Sequence, residues 1–240
     1  MIRIFDNTED LSRAAADLFL QAATESISQN GQFNVALTGG SSPVKLYQLL
    51  SQPPYSEQIQ WDKVFVFWGD ERWVPLDDER SNAKMAYETL LNHLPVKPAG
   101  VFPMWADKMQ PAEFAERYEQ TLKLHLGSNP QFDLILLGMG DDGHTASLFP
   151  GTDVLREESK LVDAYYLVPQ DMFRVTLTAP VINQAKHIAV ITYGEKKTNA
   201  LYEVLEGEKN PEKYPSQLLN PRGGDITWFV DKEAAAKLSS

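Results

Sequence analysis

Four successive apolar residues, Leu134-Ile135-Leu136-Leu137, run directly into Gly138-Met139-Gly140-Asp141-Asp142-Gly143-His144-Thr145. A strand that alternates apolar and polar side chains keeps one wet face. A run without alternation is buried on both faces, as in a parallel sheet covered by helices on either side. Parallel neighbours need crossover connections, usually helical, and the rest of the chain offers them. Residues 2–5 read as a strand. Asn7 or Thr8 caps a helix to about Gln29, with Leu11, Ala15, Leu18 and Ala22 on one face and Gly31 as its stop. Residues 33–37 form a second strand. A helix carrying Leu46, Leu49 and Leu50 follows, with Ser42 as its N-cap and Pro43 at its first position in the simplest reading. Residues 64–68 form the third strand, and helices are expected over residues 81–92 and from Pro111. Beyond the Leu134 strand, residues 174–178, 187–193 and 226–230 read as strands, with helices opening at Gly194 and covering residues 233–238. This alternation predicts an α/β fold with one mostly parallel, twisted sheet and helices on both faces. In a chain of 240 residues without repeats or linker-like segments, a single domain over residues 1–240 is expected.

Charge narrows the range of partners. Asp and Glu number 33 against 22 Lys and Arg, a formal net charge of -11. Such an excess repels nucleic acid and anionic membrane, so neither is expected as a partner. It does not weigh against a small anion held by a few local cations and backbone amides. The absence of cysteine excludes disulfides, a thiolate nucleophile and a Cys-based zinc site. No stretch approaches the ~18 apolar residues of a membrane span, and the first residues lack a signal-peptide core, so a soluble cytoplasmic protein is the expectation.

Four polar loops follow strands, and in open parallel sheets ligands bind outside the carboxyl ends of the strands. Thr38-Gly39-Gly40-Ser41-Ser42-Pro43 suits a phosphate cradle of backbone N–H groups and hydroxyls at a helix start; it equally suits a capped turn. It matches neither the Walker A loop nor the dinucleotide-binding glycine pattern. In Gly69-Asp70-Glu71-Arg72-Trp73, the Arg72 fork can hold a carboxylate-like or phosphate oxygen, or the segment is a salt-bridged surface turn. The third loop packs three glycines within six residues, with two carboxylates and His144. An imidazole has an unperturbed pKa of about 6.5, suited to proton transfer near neutrality; the alternative is a histidine that only satisfies the turn. A metal site needs further ligands, and no His-x-x-x-His or comparable cluster is nearby. His93, His125 and His187 fall within helix or strand patterns and read as structural. Arg174 heads an otherwise uncharged strand, with an edge or rim ion pair as its alternative, and Lys197 opens a helix beside Lys196, with simple solvation as its alternative. Whether Asp70 and Asp141 serve chemistry or structure stays open.

Taken together, Leu37 to Pro43, Trp68-Gly69-Asp70-Glu71-Arg72-Trp73-Val74-Pro75 and the long segment from Leu137 through His144-Thr145-Ala146-Ser147-Leu148-Phe149-Pro150-Gly151 resemble the 6-phosphogluconolactonase family. Arg174-Val175-Thr176-Leu177-Thr178 and Gly194-Glu195-Lys196-Lys197 extend the match over roughly residues 30–205. The resemblance implies hydrolysis of 6-phospho-D-glucono-1,5-lactone in the oxidative pentose phosphate pathway, without metal or organic cofactor. It implies a phosphorylated sugar lactone as small-molecule substrate; the chain itself is expected to be a monomer or weak homodimer, a state that its sequence does not settle. On this reading His144 is the general base that activates water, Asp142 orients its ring, and Arg72 sits near the lactone. Gly39, Gly40, Ser41 and Ser42 hold the phosphate with Arg174 and Lys197; the family places its lysine three residues after the glycine, which favours Lys197 over Lys196. Glucosamine-6-phosphate deaminases share the fold and are the main rival. Their pattern carries a ring-opening glutamate five residues after the histidine, where this chain has Phe149, and Asp-Glu-Tyr where it has Asp70-Glu71-Arg72. A non-catalytic sugar-phosphate-binding protein is the remaining alternative, although no output module such as a helix-turn-helix is evident.

Overall fold

Leu134 through Leu137 have no exposed surface, and they lie inside the sheet, as burial on both faces requires. A computed structural model describes residues 1–239. Its strands are β1 (Ile2–Phe5), β2 (Phe33–Leu37), β3 (Val64–Trp68), β4 (Asp70–Arg72), β5 (Leu134–Gly138), β6 (Val162–Leu167), β7 (Met172–Leu177), β8 (His187–Thr192) and β9 (Asp225–Asp231). Six of them form one sheet in the order β1-β9-β8-β5-β2-β3, and every pairing in it is parallel. All five residues of β2 are buried, so both sheet faces are covered at its centre. The α/β fold with a mostly parallel sheet is the observed one.

The first helix shows how local signals set the crossovers. It spans Thr8–Asn30. Asn7 caps it by accepting the Asp10 N–H at 2.9 Å, and Gly31 ends it in the left-handed conformation at φ 78°. Its inner stripe of Leu11, Ala15, Phe19 and Ala23 is buried, and Phe19 meets Phe33 of β2 edge-on at 5.2 Å. Burying a side chain of that size contributes about 1.5–3 kcal/mol, more than helix propensity alone supplies.

Other expectations need correction. The helix after β2 starts at Val44, with Pro43 in the cap position and no side-chain cap. The turn is pinned instead by the Tyr47 hydroxyl, which donates to Thr38 O at 2.8 Å and accepts from Thr38 N at 3.0 Å. Ser42 is therefore not spent on capping. The helix expected over residues 81–92 is Asn82–Thr89, capped by Ser81, and a 3-10 turn follows at Leu91–His93. Residues 233–238 form successive turns, not a helix; Asp231 accepts the Ala234 N–H with its side chain and the Ala235 N–H with its carbonyl, as at a helix start, but no regular helix follows. The strand read at residues 174–178 is β7, and it lies outside the parallel sheet. It pairs antiparallel with β4 and β6 in a second, three-stranded sheet of order β4-β7-β6. Side chains of both sheets, among them Val162, Val175 and Leu177 of the smaller one, join a single contiguous core. No helix among the described residues is long and apolar enough to cross a membrane.

Candidate active site

The direction of chain travel across the sheet reverses at β2. From β2 the chain steps to β3 on one side and returns to β5 on the other. β2 and β5 pair only at Val35↔Leu134 and Ala36↔Ile135, whereas β5 stays paired with β8 as far as Gly138↔Ile191. Past Ala36 and Ile135 the loops of these two strands separate, and a cleft of about 230 Å³ opens between them. Ligand sites favour such a switch point.

The loop after β5 forms one wall. The Gly140 N–H donates to the His144 carbonyl at 2.8 Å and closes the turn. A β-carbon at Gly140 would lie 2.1 Å from His144 Nδ1, so only glycine lets the ring fold back on its own loop. Asp142 Oδ1 accepts from both the His144 backbone N–H, at 3.1 Å, and Nδ1, at 2.6 Å. Burial pushes the Asp142 acid up, but its contacts with His144 outweigh burial and hold it below the usual carboxylate range. An ionised Asp142 fixes the proton on Nδ1 and leaves the Nε2 lone pair free. Nε2 has no protein partner among the described residues, and His144 lines the cleft.

The opposite wall is cationic. Arg72 of β4 lies directly across from Arg174 of β7 in the antiparallel pair, and both line the cleft. Like charges in that register repel. Neither guanidinium has a carboxylate within ion-pair distance among the described residues, and the buried Nε of each lacks a partner. Arg72 Nη1 donates to the Arg80 carbonyl at 2.7 Å, and Arg174 Nη2 donates to the Gln170 side chain. Arg174 is only 4% exposed. Burial draws its guanidinium below the usual value, Asp70 opposing that pull and Arg72 adding to it. Two arginines so placed form a site for an anion.

Between the walls runs the loop after β2. Gly39, Gly40, Ser41 and Ser42 all face the cleft. A β-carbon on Gly39 would lie 1.7 Å from Asn82 Oδ1, so the loop backbone rests against that amide. Asn82 is held in turn by its Nδ2, which donates to the Asp70 carbonyl at 2.9 Å. Tyr193 ties the loop after β8 to this one through a hydrogen bond to Ser41 O at 3.2 Å.

From that fourth loop Lys197 reaches the cleft and pairs with Asp141 at 2.5 Å. The Lys197 ammonium holds the Asp141 carboxyl below its usual range. A bound anion must compete with Asp141 for this lysine. Asp141→Ala is therefore expected to lower KM for an anionic substrate by up to about fivefold, the range of ~0.2–1 kcal/mol typical of exposed pairs. Steady-state kinetics at low and high salt measure it, and the effect shrinks as salt screens it.

All eight cleft-facing candidates from the sequence (Gly39, Gly40, Ser41, Ser42, Arg72, His144, Arg174 and Lys197) come together here, with Asp142 behind His144. The remaining acids are held by other groups, although Asp70 also lines the cleft. Asp70 accepts from Ser147 Oγ at 2.6 Å and Asn82 Nδ2 at 3.3 Å. Glu71 is fully buried, and it accepts from Arg72 N, Ser81 Oγ, Asn82 N and Ala83 N between 2.7 and 3.0 Å. Burial raises the Glu71 acid to about 7 while these backbone donors pull it down. It pins β4 to the start of a helix, away from the cleft. Asn82 and Gln170 line the cleft without any sequence signal that singles them out. Among the described residues, no group of three or more His, Asp or Glu side chains is placed to hold a metal ion.

The model of one known family, described as glucosamine-6-phosphate isomerases/6-phosphogluconolactonase, matches residues 6–228. The 6-phosphogluconolactonase of Synechocystis sp. is 37% identical over 219 residues, covering 90% of this chain and 88% of its own. The solved 6-phosphogluconolactonase of Trypanosoma brucei superposes with a TM-score of 0.86 at 29% identity, over 100% of this chain and 98% of that one. A solved monomeric glucosamine-6-phosphate deaminase reaches a TM-score of 0.84 over 98% of both chains, but at 23% identity its likeness is one of fold alone.

Proposed function

The chain belongs to the glucosamine-6-phosphate isomerase/6-phosphogluconolactonase family, and on that premise we propose that it hydrolyses 6-phospho-D-glucono-1,5-lactone to 6-phospho-D-gluconate, the lactone-opening step of the oxidative pentose phosphate pathway. The observation that carries the reading is His144, locked by Asp142 with Nε2 free, in one cleft with the unpaired Arg72 and Arg174. Arg174 takes the anionic end of the substrate, Arg72 faces its lactone, and the imidazole takes a proton from water.

The phosphate binds to the amides and hydroxyls of Gly39, Gly40, Ser41 and Ser42, with Arg174 beneath it and Lys197 released from Asp141. An ester carbonyl is already electrophilic, so the protein has to position it, activate a water and stabilise the oxyanion. His144 Nε2 removes a proton from that water as its oxygen bonds to C1. Arg72 lies close to the charge that develops on the carbonyl oxygen. Collapse of the tetrahedral intermediate breaks the bond from C1 to the ring oxygen, which takes the proton from His144 and leaves the imidazole neutral again. The new carboxylic acid ionises in solvent. Asp142 stabilises the transient imidazolium, as its low-lying acid and 2.6 Å contact support.

The deaminase reading lacks its proton carrier, because Phe149 occupies that position and packs on His144. The protein acts as a single domain over residues 1–240, for which its one contiguous core argues. It works on a small-molecule phosphosugar as a monomer or weak homodimer, and its net charge of -11 argues against nucleic-acid and membrane partners.

A coupled assay tests the reading. Glucose-6-phosphate dehydrogenase generates the lactone, and its disappearance is followed with and without the protein. Acceleration over spontaneous hydrolysis is the expected result. Release of ammonia from glucosamine 6-phosphate would favour the deaminase, and binding of 6-phosphogluconate without any turnover would favour a non-catalytic binder.

A further inference from the structure

Phe149 does more than replace a glutamate. Its ring stacks on the His144 imidazole with centroids 4.0 Å apart and an interplanar angle of 22°. The Arg174 guanidinium carbon lies 5.5 Å from the same ring centroid. Phe149 is only 8% exposed, yet it lines the cleft together with both of these partners. One buried aromatic ring thus touches the group that handles the proton and the group that faces the anion.

Two physical consequences follow from the stacking. The imidazole turns only about its own Cβ–Cγ bond, and the Asp142 contact at Nδ1 restrains that turn through a single hydrogen bond. A flat partner at 4.0 Å removes the rotation and keeps Nε2 turned into the cleft. The face of an aromatic ring is also electron-rich and attracts a cation placed over it. The imidazolium that exists only during turnover gains from that face, whereas neutral imidazole gains less. A contact stronger in the charged state than in the neutral one speeds the chemical step without tightening substrate binding.

We infer that Phe149 is a positioning residue for the general base: it aims His144 Nε2 at the attacking water and shares the charge of the imidazolium. This inference rests on the hydrolytic role given to His144 above. Other charged groups around the imidazole are Asp142 on its own loop, the Asp141–Lys197 pair beside that loop, and Asp70, Arg72 and Arg174 across the cleft. Replacing Phe149 changes none of their charges, so a shift in how His144 titrates reports the ring itself.

The test compares the unsubstituted protein with Phe149→Leu and Phe149→Tyr. Leu keeps an apolar side chain without a π face, and Tyr keeps the face. In Phe149→Leu, kcat for the lactone is expected to fall about three- to tenfold with KM within about twofold, and the acid limb of the kcat/KM profile to move to lower pH by about half a unit. Phe149→Tyr restores both. NMR titration of the His144 ring carries a second, activity-free readout. In the unsubstituted protein its ring protons lie upfield through the Phe149 ring current, and in Phe149→Leu they lose that displacement while the midpoint moves down. Unchanged kcat and an unchanged titration in Phe149→Leu would overturn the inference. So would equal losses in both variants that track a drop in thermal midpoint, since packing alone would then account for them. If the unsubstituted protein fails to hydrolyse the lactone, the functional reading falls, while the His144 titration still decides whether the ring acts on the imidazole.

Discussion

His144→Ala is expected to lower kcat for the lactone by about 10²–10⁴-fold, the usual contribution of general acid–base catalysis, with KM changed by no more than about threefold. The asymmetry follows from geometry. His144 stands on the β5 loop, while the cationic groups that take up an anion, Arg174 and Lys197, come from β7 and the β8 loop. Deleting the imidazole leaves them in place. It also leaves the loop largely intact, because Gly140 bonds to the backbone carbonyl of residue 144 and Thr145 Oγ1 to Gly138 O at 2.8 Å, neither through the imidazole. Activity must be measured above the spontaneous hydrolysis of the lactone. Turnover near that of the unsubstituted protein would remove His144 from the role of base, and the free Nε2 would need another explanation.

The parts of this site legible in the sequence were those whose cause is local. Leu134-Ile135-Leu136-Leu137 declares a strand buried on both faces by composition alone, and the glycines at 138, 140 and 143 announce a turn where backbone and side chain come close. Asn7 and Gly31 mark the ends of the first helix for equally local reasons. What the sequence hid depends on partners far along the chain. Asp70-Glu71-Arg72 is too polar to read as a strand. It becomes one because Glu71 is satisfied by helix N–H groups 11 and 12 residues later, Asp70 by Ser147, and the ladder itself by β7. The cross-strand placement of Arg72 against Arg174 is invisible for the same reason, since it exists only once that second sheet forms. Phe149 carried a signal only as the absence of a glutamate. Its stacking on His144 is a three-dimensional fact. Similarity of fold does not separate the chemistries either, because the deaminase superposes almost as closely as the lactonase.

Arg174→Ala should act on binding where His144→Ala acts on turnover. A charge-assisted hydrogen bond to an ionised group is typically worth about 1.5–3 kcal/mol, so KM is expected to rise about 10- to 150-fold with a smaller loss in kcat. Arg174→Lys returns the charge but not the planar fork, and recovers only part of the affinity. Stability should respond in the opposite sense. In the free protein Arg174 is a buried cation with, among the described residues, no carboxylate partner, an unpaired Nε, and another arginine across the strand pair. Burial already disfavours its charged form. Replacing such a group by an apolar side chain of similar length removes a desolvation penalty and a repulsion while keeping the packing. Arg174→Met is therefore expected to hold or raise the thermal midpoint even as KM climbs. The pairing of the two results is what discriminates. A midpoint that falls while KM stays put would make Arg174 a structural ion held by Asp70. A midpoint that holds while KM rises means that the fold tolerates an unsatisfied cation because the substrate phosphate satisfies it.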